Sequence, residues 1–404
     1  MYLSDGVELR ELCGRARRAG RVGLDVEFIR ERTFYPQLAL VQLAVEGELV
    51  LVDPLGGVDL SPIDELVLDD GVLKILHAAT QDLEIFNDRT GEIPRPIFDT
   101  QVAAAMVGIG NQVSYGNLVQ ELLEETPVQG ESFTDWLRRP LTGAQERYAL
   151  EDVRYLLPMH DRLTQTLREL GREAWLEEEL ERFQDESLYR PDPRSLYRRV
   201  RRGGSLKGRG LAVLRELAVW REEEAKRLDR PRRSVISDEI LVEVARRAPG
   251  SIEELRQCRG LRPQIARRNG KELLDAVGRG RELPKDEWPE RGERRRMPPD
   301  GQLMVDFLQA VLKAQCQTER VAPVLVGNTR DVESLVLDHL DGTLKEGANP
   351  LLEGWRGELV GGRLLEFLEG RLSVHLDPAS NAPVFRHRDA AGEEPGSRDR
   401  QSGA

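Results

Sequence analysis

The sequence predicts an α/β domain with a mixed sheet, followed by two small all-α helical bundles. Three β-like runs come early in the chain: RVGLDVEF, QLALVQLAV and ELVLVDP. From roughly Thr100 onward, helical patterns dominate. A chain of 404 residues is also too long for one ordinary hydrophobic core, so we expect two or three domains.

The early strands are expected to form a sheet that is not wholly parallel. Gly47 marks a tight turn between the second and third runs, and Pro54 ends the third. Strands joined by so short a turn run antiparallel. A fourth run, VLKILHA, leads into the helix TQDLEIFNDR, whose N-terminus Thr80 can cap.

Residues 206–280 have the pattern of a compact helical bundle. Apolar residues of LAVLRELAVWREEEAKRL fall near one stripe at helical spacing, and Ser251 with Glu254 forms a capping box. Residues 301–378 are predicted to be a diverged second copy. NGKELLDAVGRG is echoed there by VGGRLLEFLEGR, and VISDEILVEVA by VGNTRDVESLV.

The remaining segments are predicted to connect these domains. Residues 1–180 would form the α/β domain, and 181–205 a basic linker. Residues 281–300 would form a charged linker between the two bundles. The tail, 379–404, has the composition of disorder.

Composition excludes several classes of protein. The longest apolar stretches, such as VAAAMVGIG, are shorter than the ~18 residues of a membrane helix. The N-terminus MYLSDGVELR lacks the pattern of a signal peptide, so we expect a cytoplasmic protein without membrane association. Three distant cysteines and five histidines without metal-ligand spacing favour buried thiols and, for any metal, oxygen ligands.

Charge is unevenly distributed along the chain, whose net charge is −12. Residues 1–180 hold 17 Lys and Arg against 33 Asp and Glu, whereas residues 181–300 hold 31 against 22. A tethered nucleic-acid-binding region produces such an asymmetry, and solvated helix faces produce it equally well.

Asp25 and Glu27 lie one residue apart inside the apolar run GLDVEF. On a strand they point to the same side of the sheet, while Val26 points to the other. This pattern is common on the exposed face of an edge strand, and it also suits binding of a cation.

Three further residues complete a candidate catalytic set. Asp82 lies in the first turn of the helix after the fourth strand, where an acid is favourable through the helix dipole alone. Tyr148 and Asp152 lie four residues apart and therefore on one helix face, a spacing that surface residues often show by accident.

Taken together, these residues resemble the three motifs of 3′→5′ exonucleases that use four acids and a tyrosine. The resemblance extends to the ribonuclease D family, through five ordered blocks: GLDVEF, HAATQDLEIF, FDTQVAAAMVG, ESFTDWLRRPLT and YALEDVRYLLP. Residues 206–280 resemble an HRDC domain, and 301–378 would be a divergent second one. Val26 stands where that family often has threonine, which alters packing behind the site only.

The resemblance implies an RNase H-like exonuclease domain that uses two divalent cations, Mg²⁺ or Mn²⁺. Asp25 would bridge both ions, Glu27 and Asp152 would complete the ion that activates water, and Asp82 would support the second. Tyr148 would orient the attacking water. The substrate would be RNA, with tRNA precursors trimmed at their 3′ ends, and the chain would act as a monomer without an obligate protein partner.

Candidate nucleic-acid contacts lie in three places, and each has a structural alternative. Phe28, Gln42, Phe34 and Tyr35 could contact terminal nucleotides or pack in the core. His77 could contact a phosphate, although a packed strand-end histidine is the more common case. The segment YRRVRRGGSLKGRG could follow the RNA backbone or be a solvated linker. Its candidate cations are Arg198, Arg199, Arg201, Arg202, Lys207 and Arg209.

Two rival functions remain open from the residues alone. A DNA exonuclease would use the same acids. No residue type in the motifs indicates recognition of the 2′-hydroxyl, which distinguishes RNA from DNA. A non-catalytic RNA-binding protein would not need the intact acids and Tyr148.

Overall fold

The computed structural model describes residues 1–3, 5–128, 134–289, 295–345, 347 and 349–387. Six strands near the N-terminus form one mixed sheet within these ranges. They are β1 (Tyr2–Leu3), β2 (Arg21–Ile29), β3 (Gln37–Val45), β4 (Glu48–Val52), β5 (Leu73–Leu76) and β6 (Ile97–Asp99). The predicted early strands are therefore confirmed.

The strand order is β1-β4-β3-β2-β5-β6. The β2–β3 and β3–β4 pairs are antiparallel, whereas β2–β5, β5–β6 and β1–β4 are parallel. The predicted tight turn joins β3 to β4, where Glu46 and Gly47 both have positive φ, at 34° and 88°. Two left-handed residues in succession match the right-handed twist of a hairpin, and glycine adopts such a conformation without strain.

Helices lie between the strands of this sheet in the chain and also follow its last strand. In the described part of the chain up to Tyr189 they are α1 (Gly6–Ala19), α2 (Ser61–Val67), α3 (Thr80–Thr90), α4 (Thr100–Met106), α5 (Tyr115–Leu123), α6 (Gly143–Arg154), α7 (Leu156–Leu170), α8 (Glu173–Glu181) and α9 (Glu186–Tyr189). α1 is typical: Leu9, Leu12, Cys13 and Ala16 recur at helical spacing and are fully buried.

The start of α3 differs from the predicted cap. Ala79, and not Thr80, is the N-cap residue, and its side chain makes no capping bond. The carboxylate of Asp99, at the end of β6, instead accepts hydrogen bonds from the backbone N–H groups of Ala78 (3.2 Å) and Ala79 (2.9 Å). Ala78 has φ of 58°, a conformation that is strained for a residue with a Cβ, and these two bonds help to hold it.

A first helical module follows in the chain. Its helices are α10 (Arg209–Leu228), α11 (Arg232–Val235), α12 (Asp238–Arg247), α13 (Ile252–Arg256) and α14 (Pro263–Glu282). The long helices α10 and α14 pack together, and their buried residues, such as Leu214, Leu217, Leu273 and Val277, form a single core.

The prediction of a linker at 181–205 was wrong. Its residues 193–199 and 203–205 form 3₁₀ turns, and Leu196, Tyr197 and Val200 are buried in the core of the first module. Gly203 is also buried, and a Cβ added there would lie 2.8 Å from Leu214. Residues 193–205 are thus an integral part of the first module.

The second predicted linker, 281–300, is also partly ordered. α14 continues to Glu282, and the 3₁₀ turn Lys285–Glu287 leads to Trp288, whose indole N–H donates to the carbonyl of Leu283 (3.0 Å). Residues 290–294 lie outside the described residues.

A second helical module begins at Pro299. Its elements are α15 (Pro299–Glu319), α16 (Pro323–Val326), α17 (Thr329–Leu340), α18 (Gly354–Arg356), a π-helical turn (Gly357–Gly361), α19 (Gly362–Leu368), β7 (Leu372–Leu376) and β8 (Pro383–His387). The expected all-α module therefore carries a β-hairpin, because β7 and β8 pair antiparallel. The prediction of disorder from residue 379 is also corrected, because β8 lies within that tail. Residues 388–404 lie outside the described residues.

The two modules open with the same order of elements. Each starts with a long helix, α10 or α15, that ends at a left-handed residue: Asp229 with φ of 45°, or Arg320 with φ of 55°. A four-residue helix and then a helix of 10 or 12 residues follow in both. The modules differ at their ends, where α14 has 20 residues and α19 only seven.

The described chain divides into two compact units that are discontinuous in sequence. The first holds residues 1–101, 114–164 and 179–289, and the second holds 102–113, 165–178 and the chain from 295. This grouping crosses the predicted boundary at residue 180. Within the second unit, buried Arg172 donates to the carbonyls of Met106 (3.0 Å) and Arg320 (3.1 Å), which ties its three segments together.

The state of the cysteines and the character of the helices can be compared with what composition predicted. All three cysteines are buried free thiols. Within the described ranges, no helix combines the length and the apolar character that crossing a membrane requires.

Candidate active site

β2 directs two carboxylates to one face of the sheet. Asp25 stands directly opposite Gln42 of the neighbouring strand β3, and Glu27 stands opposite Leu40. Residues directly opposite in an antiparallel pair point to the same face, so Gln42 shares the face of the two acids. The pairing register shifts between Glu27 and Phe28, so a bulge interrupts the ladder just after the second acid.

α6 brings the third carboxylate to this face. The helix packs on β2, β3 and β4, and its N-terminus is fixed by a reciprocal capping box between Thr142 and Gln145. Asp25, Glu27 and Asp152 each offer a carboxylate oxygen, and these oxygens lie within 4.8 Å of one another. Acids from β2 and from a helix more than a hundred residues later in the chain therefore meet at one point.

α3 carries the fourth acid, Asp82, which is only 7% exposed. The backbone N–H of Val26 stabilises the charged form of its carboxylate, so the start of α3 lies beside β2 at the cluster. Asp82 is not one of the three acids within 4.8 Å, but its charge interacts with those of Asp25 and Glu27. It therefore borders the cluster from the α3 side.

The cluster is electrostatically unfavourable in the absence of cations. Burial raises the pKa of Asp25 to about 7. Burial, together with the charges of Asp25, Asp152 and Asp82, raises the pKa of Glu27 to about 9. Burial and the charge of Asp25 raise the pKa of Asp152 to about 8 and that of Asp82 well above its usual value. Desolvation and mutual repulsion thus both oppose ionisation of the four acids.

Tyr148 lies one turn before Asp152 on α6, and its hydroxyl interacts with the Asp152 carboxylate. Burial, and then the neighbouring acids, raise the pKa of this phenol. The Trp136 ring packs beside it, with ring centroids 6.1 Å apart, and Trp136 is only 2% exposed. Trp136 therefore anchors the tyrosine and is not open for stacking on a base.

The donor set fits a hard divalent cation. The ligand atoms that converge among the described residues are carboxylate oxygens, which Mg²⁺ and Mn²⁺ favour. Gln42 adds an independent sign, because its side chain is fully buried while neither amide atom has a hydrogen-bond partner among the described residues. A buried amide beside Asp25 without partners is costly unless something hydrated or charged is bound there.

Several residues that support the site were not singled out from sequence. The Tyr115 hydroxyl donates to the carbonyl of Glu151 (2.7 Å) and accepts from the N–H of Tyr155 (3.0 Å), where α6 passes into α7. Arg139 forms two hydrogen bonds to the Asp53 carboxylate (2.6 and 2.7 Å) and another to the carbonyl of Trp136 (2.7 Å). The bonds of Arg139 fix the segment that carries Trp136. No local sequence pattern predicts them.

The candidate nucleotide contacts near the sheet have diverse environments. Phe28 is partly exposed, with the Arg30 guanidinium 5.5 Å from its ring centroid. Gln42 lies beside the acids. His77 hydrogen-bonds through Nδ1 to the Thr100 hydroxyl (2.9 Å) and packs edge-on against Tyr115 (5.7 Å between ring centroids). These contacts are those of a packed histidine, the alternative that the sequence favoured.

The six candidate cations of the basic segment are exposed. They are Arg198, Arg199, Arg201, Arg202, Lys207 and Arg209. The apolar residues between them are buried in the core of the first module, so the segment presents its charges on a fixed scaffold. Arg198 lies 5.7 Å from the Tyr197 ring centroid, and Arg209 lies 6.0 Å from that of Trp288.

Family models match two parts of the chain. A model described as 3′-5′ exonuclease matches residues 2–168, which include all four acids and Tyr148. A model described as HRDC domain matches residues 210–277, within the first helical module.

Relatives match over nearly the whole length. Ribonuclease D of Gluconacetobacter diazotrophicus is 39% identical over 92% of this chain and 93% of its own, and ribonuclease D of Sphingobium indicum is 39% identical over 92% and 95%. The crystal structure of Escherichia coli RNase D, described as an exoribonuclease involved in structured RNA processing, matches with a TM-score of 0.78. It is 33% identical and covers 92% of this chain and 98% of its own. The chain therefore belongs to the ribonuclease D family, with a 3′→5′ exonuclease domain followed by an HRDC domain.

Proposed function

We propose that this protein is a metal-dependent 3′→5′ exoribonuclease that releases nucleoside 5′-monophosphates from RNA. The observation that carries the proposal is the convergence of Asp25, Glu27 and Asp152 within 4.8 Å, on the domain whose relatives are named ribonuclease D. Asp82 and Tyr148 border the same point. A cluster of acids that resist ionisation suits a site built to receive cations.

Asp25, Glu27, Asp82 and Asp152 would together hold two divalent cations, Mg²⁺ or Mn²⁺. Bound there, the cations would supply an acidified water and stabilise the departing 3′ oxygen. The carboxylates arrive on three separate elements, β2, α3 and α6. α6 packs on β2, β3 and β4, and this packing sets the position of Asp152.

Tyr148 acts in this proposal by orienting the attacking water. Because burial and nearby acids raise the pKa of its phenol, Tyr148 keeps its proton near neutral pH. A protonated phenol is a poor general base, but it can donate to one oxygen and accept from another. Its hydroxyl interacts with Asp152, and the Trp136 ring packs beside it, so the phenol lies next to the carboxylates.

RNA is the proposed substrate class, and tRNA precursors trimmed at their 3′ ends are the proposed physiological targets. The relatives named ribonuclease D support RNA over DNA. The exposed cations of the basic segment would bind phosphates of the body of a structured RNA, and we propose that the chain acts as a monomer.

We also propose a division into an exonuclease domain, a first HRDC domain and a divergent second HRDC-like module. The shared opening order of elements, with left-handed Asp229 and Arg320 ending the two long helices, supports a common origin of the modules. The β-hairpin and the short last helix of the second module mark its divergence.

A timed digest tests the function directly. A tRNA carrying a short 3′ extension and a DNA oligonucleotide of the extension's sequence are incubated with Mg²⁺ or Mn²⁺, with and without a chelator. We expect stepwise shortening of the RNA from its 3′ end, release of nucleoside 5′-monophosphates and complete inhibition by the chelator. Faster digestion of the DNA would instead identify a DNA exonuclease, and no digestion of either would leave a non-catalytic binding protein.

A further inference from the structure

The loop between β2 and β3 is held by the first helical module. Asp229, the left-handed residue that ends α10, accepts hydrogen bonds from the backbone N–H groups of Phe34 (3.0 Å) and Tyr35 (3.1 Å). The Phe34 ring packs against the core of the module, with the Arg232 guanidinium 4.6 Å and the Lys226 ammonium 5.8 Å from its centroid. Both the backbone and one ring of the loop are therefore fixed.

Tyr35 is left exposed by this arrangement. Its side chain is 43% exposed, whereas the Phe34 ring is covered by two cations. Two cavities, each of about 510 Å³, both include Tyr35 in their walls. Half of the residues that line one of them, the charged cavity, are charged. The other is lined by Pro36, Leu38, Pro54, Leu55 and Ile85 together with Asp88 and Arg89. An exposed aromatic ring on an anchored backbone thus borders two open spaces, each large enough for a nucleotide base.

The charged cavity contains cations suited to phosphate. Arg30 pairs with Glu84 (2.6 Å), and Arg232 pairs with Glu222 through a hydrogen bond of 2.7 Å, so these acids are neutralised. Arg190, which donates to the carbonyl of Asn87 (3.0 Å), and Lys226 also line the cavity.

The third acid of the cavity, Asp88, lies among these cations. Burial and the charge of Glu84 raise the pKa of Asp88, and the charges of Arg190, Arg30 and Lys226 oppose that rise. The four cations of the cavity, Arg30, Arg190, Lys226 and Arg232, therefore exceed its three acids, Glu84, Asp88 and Glu222.

The cavity and the acid cluster share two elements. Asp82 and Asp88 both lie on α3, six residues and therefore about 9 Å apart along the helix axis. Arg30 follows directly after β2, three residues beyond Glu27. A strand whose 3′ end reaches the acids can therefore pass Tyr35 with its preceding nucleotides.

We propose that Tyr35 and the charged cavity form a binding site for single-stranded RNA upstream of the terminal nucleotides. A base stacks on Tyr35, while Arg190 and Lys226 bind the adjoining phosphates. Stacking on an aromatic ring beside cations is a general way to hold single strands without reading their sequence. This inference rests on the proposed function, because it assigns the path by which RNA reaches the acid cluster.

The experiment compares Tyr35→Ala and Tyr35→Phe with the wild-type chain on two single-stranded RNAs, a dinucleotide and a ten-nucleotide oligomer. We expect Tyr35→Ala to lower kcat/KM about tenfold more for the oligomer than for the dinucleotide, whereas Tyr35→Phe retains most of the wild-type value. Lys226→Gln should act in the same direction and should also reduce the salt dependence of oligomer binding.

Controls and binding measurements separate the possible failures. Phe307→Ala removes a comparably exposed ring on α15, and Arg18→Gln removes an exposed cation on α1; neither should discriminate between the two RNAs. Thermal unfolding verifies that each variant folds. Oligomer binding is also measured with Ca²⁺ in place of Mg²⁺, so a loss of affinity in Tyr35→Ala is visible without cleavage.

Failure of the inference and failure of the proposed function give different results. If wild-type cleaves both RNAs but Tyr35→Ala and Lys226→Gln affect them equally, or not at all, the stacking site is wrong and the proposed function stands. If wild-type binds the oligomer but cleaves neither RNA, the proposed function fails, and the binding loss in Tyr35→Ala alone decides whether Tyr35 contacts RNA.

Discussion

The acid cluster and the basic segment each concentrate one sign of charge, but the chain builds them in different ways. The acids come from three elements that are distant in sequence. Those of β2 and α6 converge within 4.8 Å, partly shielded from water, and Asp82 of α3 borders them. The cations of residues 198–209 are neighbours in sequence and all are exposed to solvent. Converging buried charges define a chemical site, whereas adjacent exposed charges define a surface that attracts RNA without fixing its register.

This contrast predicts effects of very different size when single groups are removed. Asp152→Asn keeps the shape of a cluster member and removes its charge. If the ions contribute several kcal/mol to transition-state stabilisation, the rate should fall by on the order of 10³-fold. Single-turnover cleavage of a 3′-labelled RNA measures it, and Asp70→Asn, an exposed acid with a side chain 73% accessible, serves as a matched control. A rate within tenfold of wild type would remove Asp152 from the metal site.

Tyr148→Phe tests the member of the cluster that carries no charge. Loss of an orienting hydroxyl should lower kcat by roughly 10²-fold, the scale of positioned proton-transfer groups, while KM changes little. Steady-state kinetics on one short RNA separates the two constants. An unchanged kcat would show that Tyr148 only packs against Trp136.

The basic segment should respond in binding and not in chemistry. Replacing Arg198, Arg199, Arg201 and Arg202 together by alanine should raise KM for a structured RNA about tenfold and flatten its salt dependence, because fewer counterions are released. The melting temperature should stay close to wild type, because all four side chains are exposed. A tenfold loss of kcat on a dinucleotide in the same variant would contradict this division between chemistry and surface binding.

The buried core beneath those arginines should behave differently. Leu196→Ala removes a side chain that is 7% exposed and belongs to the core of the first module. Truncation of a buried leucine costs roughly 2 to 5 kcal/mol of unfolding free energy, measurable by denaturant titration. No destabilisation would restore the view of 181–205 as a linker.

The same contrast explains how much of the site could be predicted from the sequence. The alternation of side chains along the strand predicted β2. The family motifs, through their spacing, predicted one site formed by Asp25, Glu27, Asp82, Tyr148 and Asp152. Each of these patterns is local in sequence, whereas the residues that support the site reach it through tertiary packing. The support given by Asp99, Tyr115 and Arg139 depends on contacts across tens of residues, for which no local pattern exists.

The error at residues 181–205 has a physical cause. Its arginines and glycines have the composition of a flexible connection, but Leu196, Tyr197, Val200 and Leu206 recur among them and are buried. In a 3₁₀ turn the repeat is close to three residues, so a search at helical or strand spacing passes over it. The hairpin of β7 and β8 was missed for a different reason: its strands have five residues each and are mostly accessible to solvent.

The smallest expected effect is on stability, and it follows from the raised pKa values of the acids. The folded state binds protons more tightly than the unfolded state between the ordinary carboxyl pKa values near 4 and the folded values of about 7 to 9. The metal-free protein should therefore lose stability as pH rises through this window. Mg²⁺ should restore it, raising the melting temperature by roughly 5 °C at pH 9 and by under about 1 °C at pH 5. An equal shift at both values would mean that Mg²⁺ binds elsewhere.

The acids of β2, α3 and α6 are proposed to form one metal-dependent hydrolytic unit that acts at the 3′ end of RNA. The most direct measurement is release of nucleoside 5′-monophosphates from a 3′-labelled RNA by wild-type and Asp25→Asn proteins, as Mg²⁺ is titrated into chelator-treated samples. We expect Mg²⁺-dependent release of 5′-monophosphates by wild type and essentially none by Asp25→Asn at any Mg²⁺ concentration. Release that persists in the chelator, or in the Asp25→Asn protein, would show that these acids are not the hydrolytic unit.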